Sequence, residues 1–223
     1  MHIEPALLSP EKMLLAYASA AAAGGLTARI VWTVIKQDGP LSLLARSAMA
    51  TAVVFCCFEV LPHHAVGVSE VHLILGSTLL LIFGAAPAAL GLALGLLIQG
   101  LFFAPFYLPQ YFANVTTLLV PLFAIKLVAD RIIPSDTAYV DLRYRQAFVL
   151  SATYQGGIVA WVAFWAFYGQ GFGAENTMSV VTFGGAYMLV VLLEPLIDLA
   201  VLAGAKLVRG LGRTGLVTPR LFA

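Results

Sequence analysis

Charged residues are scarce in this chain of 223 residues. Asp, Glu, Lys and Arg together make up 10% of the sequence, whereas hydrophobic residues make up 61%. Soluble domains contain about 25% charged and about 45–50% apolar residues. The scarcity of charge therefore excludes a soluble domain of any size, and no nucleic-acid partner is expected. The composition predicts one membrane domain over residues 1–223, with no linker and with the lipid bilayer as its surroundings.

Sequence signatures of catalysis are also missing. The chain has no His-Glu-x-x-His motif and no nucleophile–base pair at convincing spacing, which disfavours an intramembrane metalloenzyme. Such an enzyme would have to use Glu59, His63, His64 and His72. The glycine-rich stretch 169–173 lacks the Gly-Lys-Ser/Thr ending of a phosphate-binding loop, so the chain is not expected to hydrolyse ATP. We expect neither an enzyme nor an organic cofactor.

Cysteine is nearly absent. The two cysteines, Cys56 and Cys57, are adjacent within an apolar run, and neighbouring cysteines rarely form a bridge without strain. The sequence therefore has no disulfide framework, and both residues are interpreted as small packing residues.

Apolar runs long enough to cross a bilayer make up most of the chain. A membrane-spanning helix needs about 20 apolar residues, and the runs that approach this length are 13–35, 41–61, 71–83, 87–104, 112–132, 146–168 and 180–208. The third run is short, and only residues 84–87 separate it from the fourth, which predicts a tight helical hairpin. Gly91 and Gly95 in the fourth run permit close helix packing. The sequence thus predicts an all-α polytopic membrane protein with about seven transmembrane helices in one bundle over 13–208.

Basic residues near the ends of these runs determine the expected orientation. Those assigned to one side of the membrane are Lys36, Arg46, Lys126, Arg131, Arg143, Arg145, Lys206, Arg209, Arg213 and Arg220, whereas the other side has only Lys12. Because Lys and Arg are enriched in cytoplasmic loops, the N-terminal segment 1–12 is predicted outside and the tail 209–223 in the cytoplasm. The expected location is the cytoplasmic (inner) membrane of a bacterium, crossed several times.

Histidine is rare, and its four copies share one predicted side of the membrane. His2 lies in the outer N-terminal segment, His63 and His64 lie in the loop after the second run, and His72 begins the third. Neutral imidazole is a common ligand of nickel, cobalt and copper. The topology therefore gathers every histidine where an incoming metal ion would arrive. The alternative for His63 and His64 is a simple polar turn.

The start of the chain, Met1-His2, offers three nitrogens in a row: the terminal amine, the amide nitrogen of His2 and Nδ1 of His2. Together they close a five-membered and a six-membered chelate ring on one metal ion. A deprotonated amide nitrogen suits square-planar Ni(II), Cu(II) or Co(II) better than tetrahedral Zn(II). We expect Met1 to be retained, because His is too bulky at the second position for removal of the initiator Met. The apolar run before Ala18-Ser19-Ala20 is also too short for a cleaved signal peptide.

Four segments of the first half of the chain form a recognisable set. They are Met1-His2-Ile3, Ser69-Glu70-Val71-His72-Leu73, Leu96-Leu97-Ile98-Gln99-Gly100-Leu101, and Phe112-Ala113-Asn114 with the later Val120-Pro121. This set resembles the CbiM/NikM family, the substrate-binding (S) membrane components of cobalt and nickel transporters of the energy-coupling-factor (ECF) type. The resemblance covers residues 1–125 and is only topological beyond them. The chain departs from the usual sequence of the family at Glu4-Pro5-Ala6 and at Pro105-Phe106-Tyr107.

The resemblance implies a metal site. In that family the ion is held by the N-terminal amine, the amide nitrogen and imidazole of the second residue, and one further histidine. The matching residues here are Met1, His2 and His72. Gln99 and Asn114 match polar positions of the family and are expected to form hydrogen bonds around the site or to anchor the N-terminal segment. Helix–helix hydrogen bonding is the alternative for both, and His63 and His64 are auxiliary candidates.

The resemblance also implies a function, the capture of Co²⁺ or Ni²⁺ from outside as the transported substrate. Affinity should fall at acid pH, because the ligands must lose protons to bind. The expected partners are a transmembrane coupling subunit and ATPase subunits, and a small accessory membrane protein is a further candidate. The choice between cobalt and nickel stays open, although a planar all-nitrogen site modestly favours nickel. The alternative is an ATP-independent secondary permease or channel, with Glu59, Glu194 and Asp198 as its cation or proton path.

Two acidic residues lie inside the seventh apolar run. Glu194 and Asp198 are four residues apart, on one helical face around Pro195. Carboxylates inside a membrane are costly and are usually paired, and Arg29 in the first run is the candidate partner. A structural ion pair is the favoured interpretation, and a relay to the coupling subunit is the sharper hypothesis.

Overall fold

The computed structural model describes residues 2–211. Its elements are α1 (Met13–Asp38), α2 (Pro40–Phe55), β1 (His64–Val66), β2 (Ser69–Val71), α3 (Gly76–Phe83), α4 (Ala85–Phe102), α5 (Tyr111–Ile132), α6 (Tyr144–Gln170) and α7 (Ala174–Leu211). Short 3-10 turns lie at Pro5–Leu7, Pro105–Gln110 and Tyr139–Asp141, and a π turn at Cys56–Val60 ends α2. The predicted all-α polytopic fold is confirmed. Met1 and residues 212–223 lie outside the described residues, and the outside and cytoplasmic assignments of the termini stay predictions.

Six helices in the described part of the chain are long and apolar enough to cross a membrane, namely α1, α2 with its π turn, and α4 to α7. Helix α3 has eight residues, about 12 Å at 1.5 Å per residue, whereas the hydrocarbon core is about 30 Å thick. The predicted third transmembrane helix over 71–83 is therefore wrong in its first half. There Val71 is paired in the β1–β2 hairpin, and Leu75 has a left-handed backbone with φ of 60°.

The chain nevertheless crosses the bundle between α2 and α4. A Cβ on Gly91 would lie 2.6 Å from the Cβ of Ala50, and a Cβ on Gly95 would lie 2.5 Å from Cγ1 of Val54. The contact advances in the same direction along both helices, so α2 and α4 run parallel. The segment 61–84 that joins them must return across the bundle, partly as irregular chain and partly as α3. Irregular backbone inside a membrane is tolerated only where protein groups satisfy its N–H and C=O groups.

Large aromatic side chains fill the centre of the bundle. The fully buried ones include Trp165, Tyr154, Tyr187, Phe58 and Phe183. On the outside, large apolar side chains such as Trp32 and Leu41 are exposed. Lipid tails are as apolar as these side chains, so their exposure fits a bundle surrounded by a bilayer.

A glycine forms the turn of the β1–β2 hairpin. Gly67 has a φ of +59°, and a Cβ there would lie 2.2 Å from the carbonyl oxygen of Ser179 in α7. The hairpin is thus packed directly against the first half of α7. This contact fixes the position of β2, the strand beside which the N-terminal segment lies.

Gly67→Ala is expected to lower the free energy of unfolding by at least about 2 kcal/mol, because both the left-handed backbone and the contact with Ser179 are penalised. Gly173→Ala is the matched control, since a Cβ at Gly173 would meet no atom within 4 Å. Thermal unfolding of both variants in the same detergent measures the difference. Equal unfolding midpoints for the two variants would contradict the expectation.

Candidate metal site

The N-terminal segment is inserted into the protein alongside β2 of the hairpin. Ile3 forms an isolated antiparallel bridge with Ser69. The backbone N–H of Glu70 donates a hydrogen bond to the carbonyl oxygen of His2 at 3.1 Å. Because partners in antiparallel strands advance in opposite directions, this register places His2 opposite Glu70.

Side chains of the neighbouring elements hold the N-terminal segment in place. Oδ1 of Asn114 in α5 accepts a hydrogen bond from the backbone N–H of Ile3 at 2.8 Å. Nε2 of Gln110 donates a hydrogen bond to the carbonyl oxygen of Pro5 at 2.7 Å. The side chain of Ile3 is fully buried. Asn114 therefore anchors the N-terminal segment, which is one of the roles expected for it.

The imidazole of His2 is buried, with 2% of the residue exposed. Its Nδ1 lies 2.6 Å from Oε2 of Glu70, and the ring of Tyr107 stacks on it with the ring centroids 4.4 Å apart and the planes inclined by 20°. Burial lowers the pKa of His2 by more than the hydrogen bond with Glu70 raises it. Burial acts to raise the pKa of Glu70, but the hydrogen bond with His2 and the positive charges nearby together outweigh it, so the pKa is lowered. A neutral His2 thus donates Nδ1–H to an ionised Glu70.

The imidazole of His72 has one nitrogen without a partner. His72 is 3% exposed, and its Nδ1 lies 2.9 Å from the carbonyl oxygen of Leu73. A carbonyl oxygen can only accept a hydrogen bond, so Nδ1–H is the donor. Within the described residues Nε2 is buried with no hydrogen-bond partner. The lone pair of Nε2 is therefore free to bind a metal ion.

Glu70 lies in β2 opposite His2, and His72 follows the end of β2 by one residue. Among the described residues, no group of three or more His, Cys, Asp or Glu side chains is arranged to hold a metal ion. The predicted ligand set has only two side-chain nitrogens, so it stays a prediction. Met1, the predicted source of the amine, lies outside the described residues.

The described hydrogen bonds of Gln99 join two elements of the helix bundle. Its Nε2 donates hydrogen bonds to the carbonyl oxygen of Phe58 at 2.9 Å and to Glu59 at 3.2 Å. It therefore joins α4 to the π turn that ends α2, which fits the helix–helix alternative. The ring of Phe58 packs against the imidazole of His72 with the centroids 4.5 Å apart, so Gln99 supports His72 indirectly.

The remaining two histidines lie closer to the surface. His64 is exposed at the start of β1. Nδ1 of His63 lies 3.2 Å from the carbonyl oxygen of Leu61, two residues earlier. The structure places both outside the buried group of His2 and His72, and this arrangement fits the polar-turn alternative.

Glu194 caps the start of the short helix α3. Its fully buried carboxylate accepts a hydrogen bond from the backbone N–H of Ile74 at 3.0 Å and another from the backbone N–H of Leu75. Ile74 and Leu75 directly precede α3, and a negative charge at the start of a helix is stabilised by the helix dipole. Because Ile74 is two residues after His72, Glu194 links α7 to the segment that carries His72.

Asp198 completes this cap one turn further along α7. Its carboxylate accepts hydrogen bonds from the hydroxyl groups of Ser77 and Thr78. The expected ion pair with Arg29 is not formed among the described residues, since Arg29 is exposed on α1. The backbone and hydroxyl groups of the 74–78 segment take the place of a basic partner.

Three residues that contact the site were not predicted from the sequence: Glu70, Tyr107 and Gln110. Glu70 contacts His2 through the pairing of the N-terminal segment with β2, and the β1–β2 hairpin was not predicted. Tyr107 lies in the segment 105–107, which was identified only as a departure from the family sequence. Gln110 follows Pro109 and carries no motif of its own.

Comparisons with known proteins agree with this architecture. A family model named CbiM, described as "Cobalt uptake substrate-specific transmembrane region", matches residues 2–209. A solved structure titled "Crystal Structure of an Truncated Transition metal Transporter" superposes with a TM-score of 0.67 at 17% sequence identity, and the match covers 91% of this chain and 97% of that chain. A search of curated protein sequences finds no match.

The family match extends from the N-terminal strand to the last described turn of α7. It confirms the predicted family, and with the six apolar helices it confirms a multi-pass membrane protein. The chain is a metal-uptake component, and it belongs to the CbiM family of cobalt-uptake, substrate-specific transmembrane regions.

Proposed function

We propose that this chain is the substrate-capture subunit of an ATP-driven importer of Co²⁺ or Ni²⁺. In this proposal the ion is bound by the amine of Met1, by the amide nitrogen and Nδ1 of His2, and by Nε2 of His72. Membership of a cobalt-uptake family supports the class of metal. ATP hydrolysis is assigned to separate ATPase subunits, which act through a transmembrane coupling subunit, because the chain has no phosphate-binding loop motif.

The observation that carries the proposal is the unpartnered Nε2 of His72. A buried polar atom without a hydrogen bond costs about 1–3 kcal/mol, and of the several such atoms among the described residues Nε2 of His72 is the one that belongs to an imidazole. A metal ion would satisfy this lone pair, and the hydrogen bond from Nδ1 to Leu73 already sets the tautomer that binding needs. Orientation of a metal-binding imidazole through its other nitrogen is the usual arrangement in metal sites.

The inserted N-terminal segment supports a closed binding site. With His2 and Ile3 buried and the segment bonded to Asn114 and Gln110, a bound ion would be screened from water on the side of the terminus. Release would then require the segment, or the loop that carries His72, to move. Glu194 connects that loop to α7, and we propose α7 as the element through which a partner subunit could act on it.

Replacement of His72 by Ala tests the ligand set. We expect His72→Ala to weaken Co²⁺ and Ni²⁺ binding by more than about 100-fold, since changes of outer-shell partners alone cost about 10–100-fold. His64→Ala is the matched control, because His64 is exposed and outside the buried group. Titration of chelator-stripped, purified protein with each metal gives the two affinities. Equal affinities for the two variants would exclude His72 as a ligand.

The permease alternative is tested by transport. Purified chain in lipid vesicles is expected to take up no Co²⁺ on an ion gradient alone, because Glu194 and Asp198 are engaged in capping α3. Uptake should appear when the coupling and ATPase subunits are reconstituted with ATP. Gradient-driven uptake by the chain by itself would overturn the ATP-driven proposal and support the permease.

A further inference from the structure

We propose that a groove between α1 and α5 binds an anionic phospholipid of the surrounding bilayer through Arg29 and Lys126. The groove encloses about 530 Å³ and reaches Ala85 at the start of α4. None of the residues proposed to bind the metal ion lines it. The groove is therefore a second ligand site, separate from the metal site.

The groove exists because the second half of α1 packs loosely against the bundle. The buried residues of α1 are Met13, Ala16 and Ala23, and all of them lie before Gly24. From Gly24 to the end of the helix at Asp38 no residue is buried. The gap that this leaves beside α5 is open to the bilayer, so lipid is the molecule at hand to fill it.

Apolar side chains form one wall of the groove. They are Leu26, Ile30 and Val34 of α1 and Phe123 and Leu127 of α5. The three residues of α1 are spaced by four, so they lie one above the other on one face of the helix. A continuous apolar wall along the membrane suits an acyl chain, whereas a small anion dissolved in water gains nothing from it.

Polar side chains form a column beside the apolar wall. Arg29, Thr33 and Gln37 also follow one another at intervals of four residues, so the column runs along α1 towards its end at Asp38. Lys126 lines the same groove from α5, and none of the described residues that line it is acidic. The positive charge of the groove is complementary to the phosphate of an anionic headgroup.

Arg29 takes part in none of the ion pairs that form within the described part of the chain. Arginine inside a membrane span is costly and is usually paired, and its planar guanidinium matches a phosphate group. Lys126 is paired with Asp130 at 2.6 Å, but an ammonium group has three donors. Arg29 is therefore the main phosphate contact, and Lys126 can add a second one.

The groove lies at the membrane depth where headgroups are found. Trp32, three residues beyond Arg29, is 60% exposed, and Nζ of Lys36 lies 5.0 Å from the centroid of its ring. Trp residues are enriched at the membrane–water interface. In the predicted orientation this end of α1 is cytoplasmic, and the cytoplasmic leaflet carries a negative surface potential. Basic pockets between transmembrane helices on that side are typical sites for anionic headgroups.

Lipid titration of the full chain in detergent, followed by native mass spectrometry, tests the site. We expect phosphatidylglycerol to bind at least about tenfold more tightly than phosphatidylcholine with the same acyl chains. Arg29→Gln should lower this preference by at least about fivefold, the contribution of one basic residue near a membrane surface. Lys126→Gln should lower it less, because Lys126 is shared with Asp130. Arg145→Gln is the matched control, since Arg145 is exposed on the same predicted side but does not line the groove.

The wild-type protein gives a result that does not depend on the folding of a variant. Equal affinities for the two lipids would overturn the proposal, and so would a preference that Arg29→Gln retains. If Arg29→Gln keeps the preference but no longer co-purifies with the coupling subunit, the partner of Arg29 is a carboxylate of that subunit and the proposal is wrong. Phosphatidylglycerol should also raise the unfolding midpoint of the wild type more than that of Arg29→Gln, because a ligand of the folded state stabilises it. Equal shifts would contradict the site.

Discussion

Addition of Gly-Ser before Met1 is expected to abolish tight binding of Co²⁺ and Ni²⁺. In the proposed site the amine of Met1 and the amide nitrogen of His2 close the five-membered chelate ring, and this ring is lost when Met1 no longer carries the free amine. We expect affinity to fall by more than about 1,000-fold, because changes of outer-shell partners alone already cost about 10–100-fold. Metal titration of the purified, chelator-stripped protein measures the loss.

The length of the extension matters for this experiment. One added residue would make His2 the third residue of the chain, and an amine, two amide nitrogens and an imidazole at that spacing can bind Ni(II) in a plane without His72. Two added residues place His2 fourth and remove that possibility. The extension also has to be accommodated next to His2 and Ile3, which are 2% and 0% exposed, so it should loosen the bridge between Ile3 and Ser69.

A cleavable extension provides the control. A version whose extension is cut by a site-specific protease directly before Met1 should bind poorly before cleavage and regain its affinity afterwards. Recovery on cleavage excludes misfolding as the cause of the loss. Tight binding by the uncut protein would show that the terminal amine is not a ligand, whatever the result for His72→Ala.

The ligands of the proposed site could be predicted from the sequence because their chemistry is local. Met1-His2 closes its chelate rings through covalent geometry alone, and His72 was found by the resemblance of its motif. The partner of Nδ1 could not be predicted, because Glu70 reaches His2 only through the register of a three-residue strand. Such strands are too short to show a period of two in the sequence.

The third apolar run is a part of the fold that could not be predicted correctly from the sequence. Residues 71–83 are apolar enough for a helix, and no residue within the run indicates that its first half is irregular. The reason lies 120 residues away, where Glu194 satisfies the backbone N–H groups of Ile74 and Leu75. The expected pairing of Glu194 with Arg29 assumed that a carboxylate in a membrane needs a basic side chain, whereas here backbone donors are its partners.

Glu194→Ala is expected to lower the free energy of unfolding by about 3–5 kcal/mol. Removal of the carboxylate leaves two buried backbone N–H groups without partners, each costing about 1–3 kcal/mol, and the shorter side chain also leaves a cavity. Because Ile74 and His72 are two residues apart, the loop should also lose its fixed geometry, and Co²⁺ affinity should fall with the stability. Thermal unfolding and metal titration of the same preparation in one detergent measure both effects.

Glu175→Ala is the control for Glu194→Ala, since Glu175 is an exposed carboxylate in the first turn of α7 and its replacement should change neither quantity.

Glu194→Gln separates a structural cap from a relay to the coupling subunit. The amide of Gln keeps one oxygen acceptor for the N–H groups of Ile74 and Leu75, so this variant should retain most of the stability and most of the metal affinity. If it also imports Co²⁺ normally with the partner subunits, Glu194 is a structural cap and not a relay. If import fails while binding persists, the charge itself is required for release. If Glu194→Ala and Glu175→Ala unfold at the same midpoint, the cap is contradicted. Two N–H groups left without partners next to α3 would have to lower the free energy of unfolding.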